Sequence, residues 1–338
     1  MTPAPSETPH APTSSSVLDA VAAEARSGLL ATPRTLAPWL FYDERGSELF
    51  EQITTLPEYY PTRTERDIFT AHAPEILSAA ASGHPLTLLE LGAGTATKTG
   101  ILLRAAVRQQ GSVLYQPVDV SPSALDEARI HLEASIPGVT VRPQVANYTA
   151  QPLTLTRPGN CRALALYIGS SIGNFSPYQA ADLLRNLRAQ LQPGDSLLLG
   201  TDLAPGPHKS VPNLIAAYDD AAGVTAAFNR NILARLNRDL RANFNPSCFA
   251  HRALWNATHS RIEMHLEALT PQHIHIPANA AGPAFSFTLQ AGETIHTENS
   301  YKFTPASIAD LLHRSNFRPT RTWQDPQALF AVNLAVTV

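Results

Sequence analysis

The chain has 338 residues and a formal net charge of −3 at pH 7, from 25 Lys and Arg against 28 Asp and Glu. This length predicts about two domains or one elaborated α/β unit, and the lack of a basic excess argues against a nucleic-acid partner. The two cysteines lie far apart, and no stretch reaches the ~18 apolar residues of a membrane helix. We therefore expect a reduced, cytoplasmic protein without a disulfide framework or a membrane anchor.

The N-terminal region divides into a tail and helical segments. Residues 1–15 are rich in proline, serine and threonine and poor in large apolar side chains, which predicts a disordered tail. A helical pattern begins at Val17, with Ser16 as a suitable N-cap, and a second helix is predicted over 64–81. Between them lies a polar and aromatic segment at 41–65, FYDERGSELFEQITTLPEYYPTRTE.

Short apolar runs alternate with amphipathic helical patterns in the next part of the chain. Strands separated by helices of this length predict βαβ crossovers and a mostly parallel sheet covered on both faces. The predicted strands are 86–91, 113–120, 139–145, 162–168 and 196–203, and the predicted helices lie near 96–109, 122–135 and 177–192. The sequence therefore predicts a doubly wound α/β domain.

The pattern changes after Asp202. A long helical stretch at 211–241 precedes a group of β-like segments, which favours a separate α+β layer inserted into the first domain. A last helix and two strands then return to close the main sheet. The β-like segments are 258–268, 284–290 and 293–298, the last helix is 304–316, and the closing strands lie within 320–325 and 328–338. Two antiparallel closing strands are typical of methyltransferase-type sheets and absent from the dinucleotide-binding fold.

A strand, a glycine turn and a helix give the clearest local signal, in LLELGAGTATK at 88–98. Gly92 and Gly94 allow a tight turn and a close approach of the backbone to a ligand. Asp119, roughly 25 residues later at the end of the second strand, can accept both hydroxyls of a ribose. Glu90 would repel a pyrophosphate, and Thr97 stands where the dinucleotide motif needs its third glycine. These residues favour S-adenosylmethionine over NAD.

Taken together, the motifs resemble those of the histidine Nα-methyltransferases of ergothioneine biosynthesis, which are class I S-adenosylmethionine-dependent methyltransferases. The matching segments are 41–65, LELGAGTATKT (89–99), PVDVS (117–121), YIGSSIGNF (167–175), AAYDDAAGVTAAFNRNILARLNRDL (216–240), RIEMHLEA (261–268) and HTENSYKF (296–303). The fold class that follows is α/β, a doubly wound, Rossmann-like class I methyltransferase sheet with an inserted α+β substrate domain. The expected domains are the tail 1–15, an N-terminal helical and aromatic segment 16–62 that contributes to the substrate domain, the methyltransferase domain 63–202 with 301–338, and the substrate-binding domain 203–300.

The resemblance also implies roles for individual residues. For the cofactor it implies Gly92, Lys98, Asp119, Asn147 and Tyr148, to which the turn itself adds Glu90 and Gly94. The family more usually has Asp at the position of Asn147, but an amide can still bond to an adenine edge. For the substrate it implies Tyr59, Asn174, Tyr218, Met264, Glu298 and Ser300, with Tyr42 also lining the pocket and with Tyr42 and Tyr59 expected as the catalytic residues at the reacting amine.

Several of these residues also have a plain physical interpretation. Glu298 and Ser300 lie two apart on a predicted strand and so face one side, where a carboxylate and a hydroxyl can bind the two nitrogens of an imidazole. Alone, such a pair is more often an outward-facing polar pair on an edge strand. Asn174 ends the fourth strand, where open α/β sheets bind ligands, although it also suits a helix N-cap. Tyr218 can donate to a carboxylate, and the following Asp219 and Asp220 suit a helix start.

The implied activity is transfer of methyl groups from S-adenosylmethionine to the α-amino nitrogen of L-histidine, up to three times, giving hercynine. A monomer without a metal is expected, because His273 and His275 lack further ligands nearby. One alternative is an Nα-methyltransferase of another aromatic amino acid such as tryptophan, against which Glu298 argues, since a buried carboxylate without an imidazole N–H is costly. The other is a non-catalytic S-adenosylmethionine sensor. Whether a tyrosine or a water takes the proton of the amine stays open.

Overall fold

The structure, a computed structural model, describes residues 14–149 and 153–338. Its helices are α1 Ser14–Leu30, α2 Glu44–Thr55, α3 Tyr60–Ala81, α4 Thr99–Gln110, α5 Pro122–Ser135, α6 Pro177–Arg188, α7 Val211–Ala216, α8 Val224–Leu240 and α9 Pro305–Arg314. Its strands are β1 Leu86–Leu91, β2 Val113–Asp119, β3 Val139–Val141, β4 Gln144–Val145, β5 Arg162–Tyr167, β6 Ser196–Asp202, β7 Phe249–Asn256, β8 Arg261–Ala268, β9 Gln272–Ile276, β10 Phe285–Leu289, β11 Thr294–Tyr301, β12 Phe317–Gln324 and β13 Phe330–Thr337.

The N-terminus differs from the sequence-based expectation in one detail. Helix α1 begins at Ser14, so Ser16 lies within the helix and the predicted N-cap is wrong. Residues 1–13, which make up nearly all of the predicted disordered tail, lie outside the described residues.

An eight-stranded sheet forms the centre of the molecule, in the order β12-β13-β6-β5-β1-β2-β3, with β4 paired to β2. The pairs among β1, β2, β3, β5 and β6 are parallel, as βαβ crossovers require, whereas β13 runs antiparallel between β6 and β12. Every residue of β1 and β6 is buried, which explains their continuous apolar runs. The predicted doubly wound sheet and its two antiparallel closing strands are confirmed.

Two apolar cores cover the two faces of this sheet. One packs α3, α4 and α5 against it, through side chains such as Phe69, Leu103 and Leu132. The other packs α6 and α9 against it, through side chains such as Leu184 and Leu312. Because both faces are covered, a ligand reaches the sheet at its edges, and the carboxyl ends of β1, β2, β5 and β6 form the edge at which open α/β sheets bind ligands.

A third core lies outside the main sheet and joins two distant parts of the chain. It combines apolar side chains from Val21 to Tyr60 with others from Leu214 to Ile295. Here α8 packs on the antiparallel sheet β11-β8-β7, α2 packs on α8, and β9 pairs with β10 in a separate hairpin. Strand β7 and helix α2 were not predicted from the sequence. The predicted helix over 211–241 is divided into α7 and α8 by a turn.

The turn between α7 and α8 places Asp220 at the start of α8. Its carboxylate accepts hydrogen bonds from the backbone N–H groups of Val224 and Thr225, at 2.9 and 2.7 Å, at the start of α8. A carboxylate placed just before a helix can accept from its unpaired N–H groups, and its negative charge complements the helix dipole. The prediction that Asp220 serves a helix start is therefore confirmed. Across residues 14–149 and 153–338, no helix is long and apolar enough to cross a membrane.

Candidate functional site

The glycine turn after β1 forms the first part of the site. Gly92 and Gly94 both have positive φ, of 67° and 50°, and the backbone N–H of Gly94 donates to Asp119 at 2.9 Å. The second oxygen of Asp119 accepts from the N–H of Ser121 at 3.0 Å. These bonds hold the carboxylate in the plane of the turn at the end of β2, and each oxygen keeps a lone pair for a ribose hydroxyl.

Glu90 lies below this turn, fully enclosed by protein. The hydroxyl of Thr99 donates to both of its oxygens, at 2.9 and 2.7 Å, and the hydroxyl of Tyr115 donates to one of them. Burial raises the pKa of Glu90 to about 7, although these hydroxyl donors oppose the shift. Since its known partners come from α4 and β2, the structure assigns Glu90 to holding the turn in place. Its contact with a cofactor stays a prediction.

Lys98 precedes α4 and forms an ion pair with Glu65 of α3. Glu65 is fully buried and also accepts from the backbone N–H of Gly169 at 2.9 and 3.0 Å, just after β5. This bridge ties α3, the glycine turn and the end of β5 together, and it leaves other ammonium donors of Lys98 for a ligand carboxylate. Sequence reasoning missed Glu65, although it ends the aromatic segment 41–65.

Tyr148 and Asn147 follow β4 on the far side of the glycine turn. A Cβ atom added to Gly92 would lie 3.3 Å from the hydroxyl of Tyr148, so glycine keeps this cradle open. The ring of Tyr148 packs edge-on against Tyr167 at 5.8 Å between centroids. The side chain of Asn147 accepts from the N–H and the hydroxyl of Thr149, at 3.1 and 2.6 Å, which fixes the local turn. The glycine cradle, the ribose acid and a nearby lysine fit S-adenosylmethionine.

The second part of the site lies on the antiparallel sheet β11-β8-β7. A β-bulge between His296 and Glu298 shifts the register of β11, so that Thr297 and Glu298 are both buried. Beyond the bulge, Glu298 and Ser300 face the same side, and Met264 of β8 stands directly opposite Glu298. The structure thus brings together three residues that the sequence assigned to substrate binding.

The Glu298 carboxylate is exceptional among the buried acids of the chain. Its side chain is only 8% exposed, yet no group within residues 14–149 and 153–338 donates a hydrogen bond to it. Burial raises its pKa to about 7, against an opposing effect of the charge on Lys302. An unpartnered buried carboxylate is costly, and Glu298 therefore has an open acceptor that a ligand donor could fill.

Lys302 extends this cluster and was missed by sequence reasoning. Its ammonium group donates to the hydroxyls of Tyr218 and Ser300, at 2.7 and 2.8 Å, and lies 2.7 Å from a carboxylate oxygen of Asp202. The two hydroxyls lie 2.8 Å from each other. The signal was present in the sequence, because Glu298, Ser300 and Lys302 continue one alternation along β11.

Asp202 ends β6 and joins the cluster to the main sheet. It accepts hydrogen bonds from the Tyr60 hydroxyl, at 2.9 and 3.0 Å, and forms a second ion pair with Lys209. The charges of the two lysines lower the pKa of Asp202 despite its complete burial. The carboxylate is therefore ionised and shared between two ammonium groups. Neither Asp202 nor Lys209 was singled out from the sequence.

The side chains of Tyr42, Phe50 and Tyr59 form an aromatic wall beside Tyr218. Tyr59 lies 6.1 Å from Tyr218 and 6.3 Å from Phe50, and Tyr42 lies 5.7 Å from Phe50, all between ring centroids in edge-on arrangements. Burial raises the pKa of Tyr42 well above its ordinary value, and the charges of Glu298 and Asp119 add to the shift. The charges of a predicted cofactor residue and of a predicted substrate residue therefore both act on the Tyr42 hydroxyl.

Asn174 completes the predicted set, at the end of the 3₁₀-helical turn Ser171–Asn174 that follows β5. The preceding Gly173 packs directly on β11, where a Cβ atom would lie 2.8 Å from the carbonyl oxygen of Tyr301. This close approach brings Asn174 beside the strand that carries Glu298 and Ser300. The alternative interpretation as a helix N-cap is wrong, because Ser176 caps α6.

His273 and His275 lie on β9, away from these residues. Their rings are within hydrogen-bond distance of Thr288 and Ser286 across the β9-β10 hairpin, at 3.3 and 2.9 Å. In the described part of the chain, no group of three or more His, Cys, Asp or Glu side chains is arranged to hold a metal ion.

A parallel sheet closed by an antiparallel pair, with a glycine turn and the Asp119 carboxylate at its carboxyl edge, is typical of S-adenosylmethionine-dependent methyltransferases. The family model described as histidine-specific methyltransferase, SAM-dependent, matches residues 21–337, and the chain belongs to that family. Its cofactor is S-adenosylmethionine.

Relatives over nearly the whole chain agree with this assignment. The chain is 43% identical over 321 residues to a histidine N-alpha-methyltransferase of Mycolicibacterium smegmatis, covering 95% of this chain and 96% of the relative. It is 42% identical over 310 residues to the protein of that name from Mycobacterium tuberculosis, covering 91% and 92%. It is also 35% identical to ergothioneine biosynthesis protein 1 of Neurospora crassa, over 61% of this chain and 23% of that longer protein.

Proposed function

We propose that the protein transfers methyl groups from S-adenosylmethionine to the α-amino nitrogen of L-histidine, three times in succession, and so makes hercynine for ergothioneine biosynthesis. The observation that carries the substrate assignment is the Glu298 carboxylate, buried without a protein donor and adjacent to the Ser300 hydroxyl. An imidazole ring has one N–H to donate to Glu298 and one nitrogen to accept from a hydroxyl. The proposed substrate thus satisfies the polar groups that this pocket leaves open.

In the proposed mechanism, the protein accelerates methyl transfer mainly by positioning the substrate amine. Bound S-adenosylmethionine supplies an electrophilic methyl carbon next to a positively charged sulfur. Glu298 and Ser300 hold the ring at one end of histidine, while Asn174, with an amide next to β11, holds the amino acid group at the other end. Fixing both ends aligns the amine lone pair for an in-line displacement, which is the main source of rate in such a transfer.

The aromatic wall has two proposed tasks. The faces of Tyr42, Tyr59 and Phe50 stabilise the amine as it gains methyl groups and a permanent positive charge. Burial raises the pKa of both tyrosines well above the ordinary value, so their hydroxyls remain protonated at neutral pH. A protonated hydroxyl cannot take up the proton of the amine. We therefore assign that proton to water, and not to either tyrosine.

The two alternatives are less well supported. A tryptophan substrate has an indole N–H for Glu298 but no ring acceptor for the Ser300 hydroxyl, and its ring is larger than imidazole. A non-catalytic sensor would need the glycine turn and Asp119 for the cofactor, but it would not need a second polar pocket at Glu298 and Ser300.

We also propose the division of the chain and its state in the cell. Residues 63–202 and 301–338 form the methyltransferase domain, and residues 16–62 and 203–300 form the substrate domain. The separate apolar core that spans Val21–Tyr60 and Leu214–Ile295 supports this division.

We propose that the enzyme is monomeric and cytoplasmic. Its two free cysteines suit a reducing compartment, and its net charge of −3 attracts neither nucleic acid nor an anionic membrane.

One incubation tests the proposal directly. The purified protein is given S-adenosylmethionine and an equimolar mixture of the proteinogenic amino acids, and products are identified by mass spectrometry. Histidine should gain mass in steps of one methyl group up to three, with the new groups on the α-nitrogen. Methylation of tryptophan in place of histidine would contradict the substrate assignment, and bound cofactor without any product would favour the sensor.

A further inference from the structure

The hydrogen bonds around Lys302 determine which protons remain for a ligand. An ammonium group has three donors and no acceptor, and those of Lys302 match three oxygens, in Asp202, Tyr218 and Ser300, at 2.7–2.8 Å. The Lys302 side chain is fully buried, so no donor is left for a substrate. Its contribution to binding must therefore pass through the groups that it contacts.

The hydrogen bonds from Lys302 determine how the hydroxyls of Tyr218 and Ser300 can bond to a ligand. Tyr218 and Ser300 each accept one hydrogen bond from the ammonium group. Their oxygens lie 2.8 Å apart, so one hydroxyl donates its proton to the other. One O–H proton of the pair is left over, and among the residues that the structure describes it has no acceptor. The hydroxyl pair therefore presents a hydrogen-bond donor to the pocket.

Glu298 and Ser300 lie on the same side of β11, so a ring that reaches both meets an acceptor in the carboxylate and a donor in the hydroxyl pair. A cationic imidazole ring has two N–H donors and no acceptor for the hydroxyl proton, whereas the neutral ring has one donor and one acceptor. The pocket thus matches a ring with one donor atom and one acceptor atom.

We infer that Lys302 is a positioning residue that makes the Ser300–Tyr218 hydroxyl pair a donor, and that the enzyme thereby selects the neutral form of an imidazole ring. The inference rests on the proposed histidine substrate. It assigns a specificity-determining role to a side chain that does not itself touch the substrate.

Lys209 offers a matched control. It pairs with the same Asp202 and is as deeply buried, but its other donors go to the carbonyl oxygens of Leu203 and Leu329 and not to the hydroxyl pair. Lys302→Met and Lys209→Met therefore both remove one ion pair of Asp202, and only the first frees the hydroxyls to rotate. Lys302→Gln, whose amide oxygen can accept from the pair, replaces Lys302→Met if that variant does not fold.

The test measures kcat and KM for histidine, and the Kd for S-adenosylhomocysteine by calorimetry, in each variant with and without Ser300→Ala. Lys302→Met should raise KM about tenfold or more, by loss of an oriented hydrogen bond, with a smaller change in kcat and an unchanged Kd. Lys209→Met should lower Tm and leave KM within about twofold. In the Ser300→Ala background, Lys302→Met should add little, because its route to the substrate is already removed.

Equal effects of the two lysine variants on KM, or full additivity with Ser300→Ala, would overturn the inference and leave Lys302 a structural residue. A wild-type enzyme that does not methylate histidine would instead overturn the proposed function. A second measurement uses only the wild-type enzyme and compares the binding of histidine analogues. The two thiazolylalanine isomers keep a ring nitrogen that accepts a hydrogen bond, whereas thienylalanine has no such atom. At least one thiazolylalanine isomer should therefore bind more tightly than thienylalanine. Equal binding of all three would exclude a donor in the pocket.

Discussion

Glu298 of β11 stands directly opposite Met264 of β8, at the first paired position after a β-bulge. Directly opposite residues on one face of a ladder have adjacent side chains, and Met264 is buried. The apolar thioether of Met264 beside the carboxylate provides no hydrogen bond to it. This pairing explains why burial dominates the raised pKa of Glu298 and why the carboxylate remains free for a ligand.

Loss of the carboxylate should therefore impair substrate binding and spare the cofactor. In Glu298→Ala, we expect the KM for histidine to rise about 10- to 100-fold, the cost of a hydrogen bond to a charged group, with an unchanged Kd for S-adenosylhomocysteine. Glu267→Gln, which alters an exposed ion pair with Arg252 on the same sheet, is the control. Unchanged histidine kinetics in Glu298→Ala would remove the case for imidazole recognition.

The same carboxylate should make stability depend on pH. The folded pKa of about 7 exceeds the ordinary value of 4.5, so the folded state binds the proton more tightly than the unfolded state does. That contribution to the free energy of unfolding is fully present below the unfolded pKa and is lost as the pH rises through the folded pKa. When a neutral amide of similar shape replaces the Glu298 carboxylate, this loss of stability with rising pH does not occur.

Glu298→Gln should consequently be more stable than the wild type at about pH 8, and the difference in Tm should shrink towards about pH 5. Scanning calorimetry of both proteins without ligand measures it, with Glu267→Gln again as the control. A Tm difference that stays constant over this range would show that ionisation of Glu298 does not destabilise the folded protein.

Local patterns predicted the main sheet well, because its strands are continuous apolar runs and its glycine turn has a residue pattern of its own. They predicted α2 less well, since Gly46 and several charged residues in its first turns obscure a short amphipathic helix. Gly46 is needed there because a Cβ atom would clash with the carbonyl oxygen of Phe41.

The substrate side depends on features that no local pattern contains. The bulge after His296 decides which side chains of β11 face inward, and it is known only once β8 is paired with β11. Asp202 and Lys302 are 100 residues apart, and their ion pair follows from how the two sheets meet. Glu298 and Ser300 were nevertheless predicted, because the resemblance to a family assigned residues that spacing alone would have left as a surface pair.

The cofactor cradle can be tested with two glycines of similar conformation. Gly92→Ala introduces a Cβ atom 3.3 Å from the Tyr148 hydroxyl and strains a residue with φ of 67°. Gly111→Ala strains a residue with φ of 83° at the end of α4, where nothing lies within 4 Å. Both should lose about 1 kcal/mol of stability from the positive φ.

Only Gly92→Ala should weaken binding of S-adenosylhomocysteine, by about tenfold or more, because only there does the new methyl group enter the proposed cradle. Calorimetric titration of both variants measures the difference. If the two bind the ligand equally well, the glycine turn does not contact the cofactor in the way we propose.

The hydroxyls of the aromatic wall provide the last test. Because burial and nearby negative charge hold Tyr42 and Tyr59 in the protonated form, their proposed contribution comes from the ring faces and not from proton uptake. Tyr42→Phe and Tyr59→Phe should keep kcat within about tenfold, whereas Tyr42→Ala, which removes the ring, should lose more, most of all in the step that forms the quaternary amine. Single-turnover mass spectrometry of the mono-, di- and trimethylated products separates the steps. A Tyr42→Phe variant that binds both ligands normally but transfers no methyl group would contradict this assignment, and would place the proton acceptor on the tyrosine rather than in water.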